Sequence, residues 1–577
     1  MTTVAEQLVR TLRDAGVQRV YGVVGDSLNP IVDAIRRTDG IEWVHVRHEE
    51  AAAFAAAAEA QVTGRLAVCA GSCGPGNLHL VNGLYDAHRS GAPVLAIASH
   101  IPSAQIGTNF FQETHPDQLF RECSHYCELV SQAEQMPRLL RIAMQTAVGR
   151  RGVSVLAIPG DVAERRSPVD GAPAVNLVTP SPVVPPADRV AERAELLNSG
   201  EKVMLFAGAG CAGAHDEVMA LAGVLQAPVG HSLGGKEWIQ YDNPYDVGMS
   251  GLLGYGACYD AMHAADRVVL LGTDFPYDNF LPQARTVQID SDAAALGRRT
   301  PLELAVHGDV KATITALLPL LRRRANRSFL DSMLSEHTRR LEKVVGAYTT
   351  RIDHRTPIHP EYAADVLDDV AADDAVFTVD TGMGNVWAAR YLTPNGRRRV
   401  IGSFRHGSMA NALPHAIGAA MASPGRQVVS ISGDGGLAML MGDLLTLPTY
   451  DVPVKVVVFN NASLGMVKLE MLVDGLPSFG TDHAPVNFAA IAAACGIPSV
   501  RIEDPAKIRG ALTEAFSRPG PALVELVTDP NAMSIPPKIT GEMVRGFALA
   551  ASKTVLTGGV GKMVEIARSN LRNIPRP

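Results

Sequence analysis

The sequence predicts an α/β fold made of three parallel-sheet domains, followed by an amphipathic C-terminal tail. Short runs rich in Val, Ile and Leu alternate with longer Ala- and Leu-rich stretches, and Gly or Pro bounds each run. Continuous apolar runs of this length are typical of strands buried on both faces, as in parallel sheets covered by helices. We predict such strands at Val68–Ala70, Val94–Ala98, Val153–Ile158, Val203–Ala207, Val268–Gly272, Val428–Ser432 and Val454–Phe459.

The composition is that of an ordinary globular protein. The chain has 577 residues, of which 47% are hydrophobic and 19% are charged, and its formal net charge is −7. This balance excludes a disordered chain, and it argues against a nucleic-acid partner, which would call for a concentrated basic surface. No uninterrupted apolar stretch approaches the roughly 20 residues of a transmembrane helix. The sequence therefore excludes a membrane-spanning protein.

The cysteines and the first residues indicate a cytoplasmic protein. Seven cysteines, an odd and sparse number, are typical of reduced thiols and not of a disulfide framework. The pairs Cys69-x3-Cys73 and Cys123-x3-Cys127 could bind zinc, but structural zinc sites more often use a two-residue spacing, so buried thiols are favoured. The opening MTTVAEQLVRTLRDAG carries regularly spaced charges, which predicts an amphipathic helix and no signal peptide.

Two changes in composition suggest domain boundaries. Residues 167–187 are Pro-rich and without periodicity, which predicts a linker. A basic helical stretch at Arg322–Tyr348 precedes a third block that begins near residues 355–360. Each block has the size of an ordinary domain. We predict domains at 1–180, 181–335 and 336–530 and a tail at 531–577.

The tail differs from the rest of the chain in charge and periodicity. Residues 541–577 carry six basic and two acidic side chains, and Gly558-Gly559 separates two helical patterns. The apolar positions are Val544, Phe547, Ala548, Ala551, Val555, Val564, Ala567 and Leu571, and the cations include Lys562, Arg568, Arg572 and Arg576. A basic amphipathic helix suits an anionic membrane surface. A terminal helix packed on the body, with a solvated basic face, fits the pattern equally well.

The sharpest chemical signal lies in the third block. The predicted strand Val428–Ser432 is followed by Gly433-Asp434-Gly435, and after 24 further residues Asn460-Asn461 ends the next strand. Glycines permit close approach to a phosphate, and Asp434 and Asn461 offer oxygen ligands at strand carboxyl ends, the usual ligand edge of an open α/β sheet. A diphosphate with oxygen ligands suits Mg²⁺. The alternative is two ordinary turns joined by a helix.

The middle block contains a glycine-rich turn. Gly208-x-Gly210-x-x-Gly213 follows the strand Val203–Ala207 and formally matches a dinucleotide fingerprint at the start of a helix. Asp290, after a strand at Val287–Ile289, could hold a ribose, but it lies much further along the chain than the usual spacing of about 20 residues. Taken alone, this pattern is weak support for a dinucleotide site.

Together these motifs resemble the thiamin-diphosphate-dependent enzymes. The first block contains RHEEAAAFAAAAEAQVTG, CAGSCGPGNLHLVNGLYDAH and FFQETHP, and the third contains GSFRHGSMANALPHAIGAA, GDGGLAMLMGDLLT and FNNASLGMVKLEM. The chain is identified as a member of this family from about residue 4 to its C-terminus. Within the family it most resembles the flavin-containing bacterial pyruvate oxidases that reduce quinone, through RECSHYCELV, GKEWIQYDNPYDVGMSGLLG, LLGTDFPY and IPPKIT.

The resemblance implies three cofactors: thiamin diphosphate, Mg²⁺ and FAD. The first domain would bind the thiamin pyrimidine, the second FAD and the third the diphosphate. Glu49 would hydrogen-bond the pyrimidine nitrogen, although a carboxylate here could simply favour the N-terminus of a helix. Met409 would force the two thiamin rings together, although a methionine is more often plain core packing.

The remaining cofactor contacts are also carried over by resemblance. Asp434, Asn461 and the Ser463 carbonyl would bind Mg²⁺. Further thiamin diphosphate contacts would be Gly407, Ser408, Gly435, Gly436, Ala462, Leu464, Gly465, Met466 and Val467. FAD contacts would be Ser250, Gly251, Leu252, Leu253, Thr273, Asp274, Phe275, Pro276, Tyr277 and Asp290, with the glycine turn shaping the domain. FAD fits the chemistry because thiamin cannot accept two electrons.

The substrate residues follow from the same resemblance. Phe111 would wall the pyruvate pocket, Gln112 would donate hydrogen bonds there, and Glu470 is a candidate for proton handling. Met466 stands where the similar enzymes carry an aromatic residue thought to move on activation, so this chain departs from the family at that position.

The implied activity is oxidative decarboxylation of pyruvate to acetate and CO2, with electrons passing through FAD to a membrane quinone. The resemblance also implies a homotetramer in which Glu49 of one chain faces Asp434 and Asn461 of another. The tail would attach this cytoplasmic protein to anionic lipid on the inner face of the cell membrane. Three alternatives are an acetolactate-forming synthase, a phosphate-dependent oxidase that uses oxygen, and a non-catalytic membrane-associated assembly protein.

Overall fold

Three sheets, each covered by helices, make up the body of the protein and confirm the predicted α/β class. The computed structural model describes residues 2–169, 175–199, 202–282, 285–533, 545, 548–553, 560–570 and 572. All of the predicted strands are present, with ends that differ by at most two residues.

The first sheet has six parallel strands in the spatial order second, first, third, fourth, sixth, fifth. Its strands are Arg19–Gly22, Glu42–His45, Ala67–Gly71, Val94–His100, Tyr126–Leu129 and Val153–Pro159. The surrounding helices are Val4–Asp14, Asn29–Arg36, Glu49–Thr63, Pro75–Arg89, Pro116–Leu119, Met136–Arg150 and Gly160–Glu164. The first of these begins where the sequence predicts it, because Thr3 and Glu6 form a capping box.

The third sheet repeats this arrangement, with six parallel strands in the same order. Its strands are Val376–Val379, Arg399–Gly402, Val428–Gly433, Val454–Asn460, Ser499–Ile502 and Ala522–Val527. Its helices are Pro360–Val370, Met383–Tyr391, Ala412–Ala422, Asp434–Leu440, Thr446–Thr449, Gly465–Val473, Phe488–Ala494 and Ile508–Ser517.

The central sheet has seven strands, and the two-residue edge strand Tyr255–Gly256 pairs antiparallel. In spatial order the strands are Tyr255–Gly256, Asp246–Met249, Val229–His231, Val203–Ala207, Arg267–Leu271, Arg285–Asp290 and Leu304–His307. The helices are Ala187–Ser199, His215–Leu225, Leu233–Ile239, Cys258–Ala264, Val310–Leu317 and Ser328–Lys343.

The predicted linker and the basic helix are both tied to the domains beside them. Residues 175–186 form neither helix nor strand, but the Gln145 side chain hydrogen-bonds both the N–H and the C=O of Val178. The predicted boundary between residues 335 and 336 falls inside helix Ser328–Lys343. Phe329 and Met333 of this helix pack against the central core, so we assign the whole helix to the central domain.

The first and third domains meet through two alanine-rich helices, Glu49–Thr63 and Ala412–Ala422. Small side chains allow the backbones to approach closely, and a Cβ placed on Gly418 would lie only 2.0 Å from the carbonyl oxygen of Ala55. A fully buried hydrogen bond between His415 Nε2 and Asp86 Oδ2, 3.2 Å long, lies in the same interface.

The described part of the tail packs on the third domain. Ile566 of helix Val560–Asn570 and Ala550 are buried against Leu472. Asn570 accepts a hydrogen bond from the N–H of Met533, and the Arg572 guanidinium lies 5.6 Å from the ring centre of Tyr348. A helix packed on the body is one of the two arrangements that the sequence leaves open.

Several predicted tail positions lie outside the described residues, namely Val544, Phe547, Val555, Gly558, Gly559, Leu571 and Arg576. Within the described part of the chain, no helix combines the length and the apolar character required to cross a membrane.

The contact between the two alanine-rich helices can be tested at Gly418. In Gly418→Ala the new methyl group would overlap the Ala55 carbonyl, so we expect a loss of about 1–3 kcal/mol of stability. The matched control is Gly510→Ala, an exposed helical glycine with no neighbour within 4 Å of the new methyl group, which should gain roughly 0.5–1 kcal/mol. Thermal unfolding should shift Tm in opposite directions. An unchanged Tm for Gly418→Ala would contradict the close packing.

Candidate active site

The strand order reverses once within each of the three sheets. In open α/β sheets ligands bind at such switch points, outside the carboxyl ends of the strands. In the third domain the two flanking strands end at Val379 and Gly433, and they are followed directly by Asp380 and Asp434. Asn461 follows the next strand along. The three side chains therefore start from the ligand edge of one sheet.

Asp434 is a buried carboxylate whose surroundings suit a cation. Burial raises its pKa, and the N–H groups of Gly435 and Ala462 together with His483 offset this only in part. The turn at Asn461 is fixed, because Asn461 Oδ1 accepts the N–H of Ser463 at 3.0 Å and Ser463 Oγ donates to Asp482 at 3.0 Å. A divalent cation would relieve the cost of burying the Asp434 charge, so these oxygen donors fit Mg²⁺.

Met409, which is predicted to force the two thiamin rings together, lies close to Gly435, the residue after Asp434. A Cβ on Gly435 would lie 3.5 Å from Met409 Cε and 2.7 Å from Leu464 Cδ2. The structure thus brings together three of the predicted cofactor positions, in a space that only glycine leaves open.

Asp380 is a site residue that the sequence analysis missed. It is fully buried, and its Oδ1 accepts two hydrogen bonds of 3.1 Å from the backbone N–H and the side-chain amide of Asn411. Its Oδ2 has no hydrogen-bond partner among the described residues, and a Cβ on Gly436 would lie 2.0 Å from it. Asn411 also donates to the Ser408 carbonyl at 2.8 Å. Asp380 therefore connects the Ser408–Asn411 segment to the first turn of helix Asp434–Leu440.

Burial raises the pKa of Asp380 to about 7. A signal for this residue was present in the sequence, because Asp380 follows a strand in the same way as Asp434 does. The single Asp-x-Gly at that strand end was too common a pattern to single out.

The first domain contributes a second set of groups around Glu49. Glu49 is the first residue of helix Glu49–Thr63, is buried, and its Oε2 lies 2.9 Å from His79 Nδ1. His48 caps the helix by accepting the N–H of Glu50, and its ring stacks on His79 with 4.3 Å between ring centres. Sequence analysis gave no role to His48 or His79, since they come together only when helix Glu49–Thr63 packs against helix Pro75–Arg89.

The predicted substrate residues lie on the adjoining loop. Gln112 has a left-handed backbone with φ of 62°, and its Oε1 accepts a hydrogen bond from Cys73 Sγ at 3.3 Å. Cys73 lies two residues before helix Pro75–Arg89, which carries His79. Phe111 is 77% exposed in the single chain. Gln112 is thus held beside the Glu49 group, and Phe111 projects from it.

A polar network joins the first domain to the loop of Met409. The side-chain amide of Asn82 donates to Glu50 Oε1 at 2.7 Å and to Ser408 Oγ at 2.8 Å. Its Oδ1 lies 2.8 Å from His406 Nε2. Within one chain, Glu49 contacts His79 of its own domain. Asn82 connects the first domain to Ser408 of the third.

The glycine turn of the central domain serves packing more directly than ligand binding. A Cβ on Gly208 would lie 2.4 Å from the carbonyl oxygen of Gly272, so the two loops at this switch point touch. The motif leads into a helix, as the sequence predicts, because Ala214 follows Gly213 and is the N-cap of helix His215–Leu225. A short 3-10 turn, Ala209–Cys211, lies within the motif itself.

The residues predicted to contact FAD differ in burial and in their partners. Phe275 is buried and packs edge-on against Tyr277, with 5.5 Å between ring centres, and a Cβ on Gly251 would lie 3.1 Å from the Phe275 ring. Asp274 forms ion pairs with Arg298 and Arg299 at 3.2 and 3.1 Å. The other predicted positions divide into buried Ser250 and Thr273, partly buried Leu253 and Asp290, and exposed Leu252 and Pro276. Burial raises the pKa of Asp290, whose carboxylate accepts the N–H of Asp292.

One loop of the central domain packs against the third domain. Leu253 and Met466 both pack against the core of the third domain, and the Arg390 guanidinium donates a hydrogen bond of 3.1 Å to the carbonyl oxygen of Gly254. Burial, and to a smaller extent the Glu470 charge, raises the pKa of Tyr277. The Ser250–Leu253 loop therefore meets the domain that carries Met466.

Comparisons with known proteins agree with this geometry. Three models of thiamine pyrophosphate enzyme domains match the chain: the N-terminal TPP binding domain at residues 2–119, the central domain at 190–317 and the C-terminal TPP binding domain at 380–526. YdaP of Bacillus subtilis, whose name describes a thiamine pyrophosphate-containing protein, is 34% identical over 551 residues, 95% of each chain. Pyruvate oxidase of Lactiplantibacillus plantarum is 29% identical over 532 residues, 90% of this chain and 87% of that one. A 42.6 kDa protein from the isoamylase 3′ region of Pseudomonas amyloderamosa is 57% identical over 343 residues, 59% of this chain and 87% of that one.

The buried Asp380 gives a prediction about pH. Because only the native state holds the proton between the ordinary pKa near 3.8 and the raised value of about 7, native stability should fall as pH rises through that window. Asp380→Asn removes this pH dependence. Relative to the variant, wild type should lose about 1.4 kcal/mol of unfolding free energy for each pH unit up to about pH 7, and its unfolding free energy should fall no further above that pH.

Tm of the two apoproteins, measured from about pH 5 to about pH 8, checks this. Asp373→Asn, at a carboxylate whose side chain is 76% exposed, is the matched control. A Tm difference between Asp380→Asn and wild type that is constant with pH would refute the assignment.

Proposed function

Since the chain belongs to the thiamine pyrophosphate enzyme family, we propose that it oxidises pyruvate to acetate and CO2 and passes the electrons through FAD to a membrane quinone. The observation that carries the proposal is the packing of Leu253, on a loop expected to hold FAD, against the third-domain core that Met466 also joins, beside a 3.1 Å hydrogen bond from Arg390 to the carbonyl oxygen of Gly254. An oxidase needs these two sites adjacent, because two electrons must leave the thiamin site for the flavin.

The cofactor assignments rest on donor chemistry. Asp434, with the oxygens of Asn461 and Ser463, would hold Mg²⁺ and the diphosphate, and Met409 would support the thiamin rings. The loops Ser250–Leu253 and Thr273–Tyr277 would hold the flavin. When bound, thiamin diphosphate supplies the nucleophilic carbon that attacks the keto group, and FAD supplies the two-electron acceptor.

The chain's own residues would control protons and position. Glu49 would hold a proton at its carboxylate for the pyrimidine nitrogen, and the neighbouring His79 Nδ1 keeps that carboxylate aimed. Because Cys73 donates to Gln112 Oε1, the Nε2 group of Gln112 remains as the donor for the substrate carboxylate. Phe111 would exclude water.

The reaction balances as follows. The bond between C1 and C2 of pyruvate breaks and CO2 leaves, water contributes its oxygen to C2 to give acetate, and two electrons with two protons reduce the quinone. An acetolactate-forming synthase would instead join two substrate molecules with no net reduction of flavin, which separates the two functions experimentally.

A second chain would complete the site. Glu49 and Asp434 lie on different domains, and exposed apolar side chains flank both halves: Leu78 and Phe111 on the first domain, Met439, Met441 and Leu445 on the third. Another copy covering these surfaces would bring Glu49 of one chain to Asp434 and Asn461 of its partner. Two such pairs would form the homotetramer.

The tail would provide the route to quinone. Leu549 and Val564 are 50% and 45% exposed although Ala550 and Ile566 beside them are buried, so the described tail keeps apolar groups on its outer side. Together with the tail cations they would bind anionic lipid on the inner face of the cell membrane, from the cytoplasmic side.

The flavin spectrum tests the reaction. With thiamin diphosphate and Mg²⁺ present, anaerobic pyruvate should bleach the bound flavin, and a quinone analogue should restore it. Glu49→Gln should retain FAD but bleach at least about 100-fold more slowly, the usual loss when a positioned proton donor is removed. Glu128→Gln, at an exposed glutamate of the same sheet, is the control. Pyruvate consumption with oxidised flavin would favour the synthase.

The tail is tested separately with vesicles of anionic phospholipid. Truncation before Gly541 should abolish lipid stimulation but keep activity with a soluble dye. The full-length variant Leu549→Ser/Val564→Ser should show the same loss, because it removes only exposed apolar groups. Lipid stimulation that survives in both proteins would refute a membrane role for the tail.

A further inference from the structure

A group of metal-binding side chains lies where no Mg²⁺ ligand is expected. One ligand atom each from His48, Glu49 and His79 lie within 4.8 Å of one another. Among the described residues this is the only group of three or more histidine, cysteine or acidic side chains with that spacing.

The donor set differs in kind from the oxygen ligands around Asp434. Two imidazoles and a carboxylate are the ligands of many catalytic zinc sites, and imidazole suits Zn²⁺, Cu²⁺ and Ni²⁺, whereas Mg²⁺ prefers oxygen. The side chains of His48 and His79 are 35% and 45% exposed, which gives an ion a path in and leaves positions for water.

The geometry needs only side-chain movement to close on an ion. Glu49 Oε2 and His79 Nδ1 are already 2.9 Å apart, and the His48 ring lies stacked on His79. Zinc–ligand bonds of about 2.0–2.1 Å place neighbouring ligands roughly 3.4 Å apart, so rotations of the three side chains suffice. The anchors are rigid, since His48 and Glu49 form the first turn of one helix and His79 lies on another.

We propose that His48, Glu49 and His79 form a site for a zinc-class divalent cation, and that the ion competes with thiamin diphosphate for Glu49. Metal binding itself depends only on these three residues. The competition rests on the proposed function, because it requires that Glu49 receive the pyrimidine. A bound ion would occupy the carboxylate and exclude the cofactor, so the apoprotein would be sensitive to zinc and the loaded protein protected.

Cobalt is the probe for the site, since Co²⁺ bound by imidazole and carboxylate absorbs visible light. Apoprotein freed of thiamin diphosphate and Mg²⁺ should develop a saturable absorption with one Co²⁺ per chain, and Zn²⁺ should abolish it. His79→Gln and Glu49→Gln should each weaken Co²⁺ binding at least about 10-fold, as expected when one ligand is lost. The absence of a saturable band, or equal affinity in His79→Gln, would overturn the site.

The matched control uses another histidine pair of the same domain. His88 and His125 have ring centres 4.4 Å apart but belong to no such three-residue group among the described residues. His125→Gln should therefore bind Co²⁺ as wild type does. A loss in this variant equal to that in His79→Gln would place the ion elsewhere and overturn the proposal.

Competition is measured by equilibrium dialysis of thiamin diphosphate with Mg²⁺ in excess. In wild type the apparent Kd should rise in proportion to Zn²⁺, and in His79→Gln it should rise at least about 10-fold less. Thiamin diphosphate binding that is indifferent to Zn²⁺ would overturn the competition. A cobalt spectrum without flavin bleaching by pyruvate would sink the oxidase function and leave the metal site standing, so the two failures are distinguishable.

Discussion

The close contact between helices Glu49–Thr63 and Ala412–Ala422 is the constraint on which the site depends. Each helix begins at functional residues, because Glu49 is the first residue of one and the Ser408–Asn411 segment leads into the other. Gly418 allows the two backbones to approach, and Asn82 then reaches both Glu50 and Ser408. A shift of one helix along the other would break these hydrogen bonds and move Glu49 away from its place.

The candidate site buries two carboxylates, and burying each charge is unfavourable for folding. Asp380 and Asp434 both lie at strand ends of the third domain, and burial raises the pKa of each. Asp434 has oxygen donors beside it at Asn461 and Ser463, with which a cation would compensate its charge, whereas Asp380 lies against Gly436 and is stabilised by Asn411 and neighbouring N–H groups. The first therefore suits ligand binding and the second suits holding two loops together.

Local sequence patterns predicted the strands. They also predicted those site residues that come directly after the end of a strand. Asp434 and Asn461 could be placed because parallel strands deliver their carboxyl ends to one edge. His79 and Asp380 could not, since their partners, Glu49 and Gly436, come from other segments of the fold. The packing role of the glycine turn at Gly208 could not be predicted for a related reason, because its partner, Gly272, follows a different strand.

Helix Gly465–Val473 links the thiamin half, the central domain and the tail. Its start adjoins Asn461, Met466 packs against the core that Leu253 of the central domain also joins, and Leu472 packs with Ala550 and Ile566. Burying two or three such side chains stabilises the docked tail by only a few kcal/mol, about 1.5–3 for each large one. The proposed binding of the tail to lipid would therefore have to replace this small apolar contact together with hydrogen bonds such as those that Asn570 makes to Met533 and Asn531.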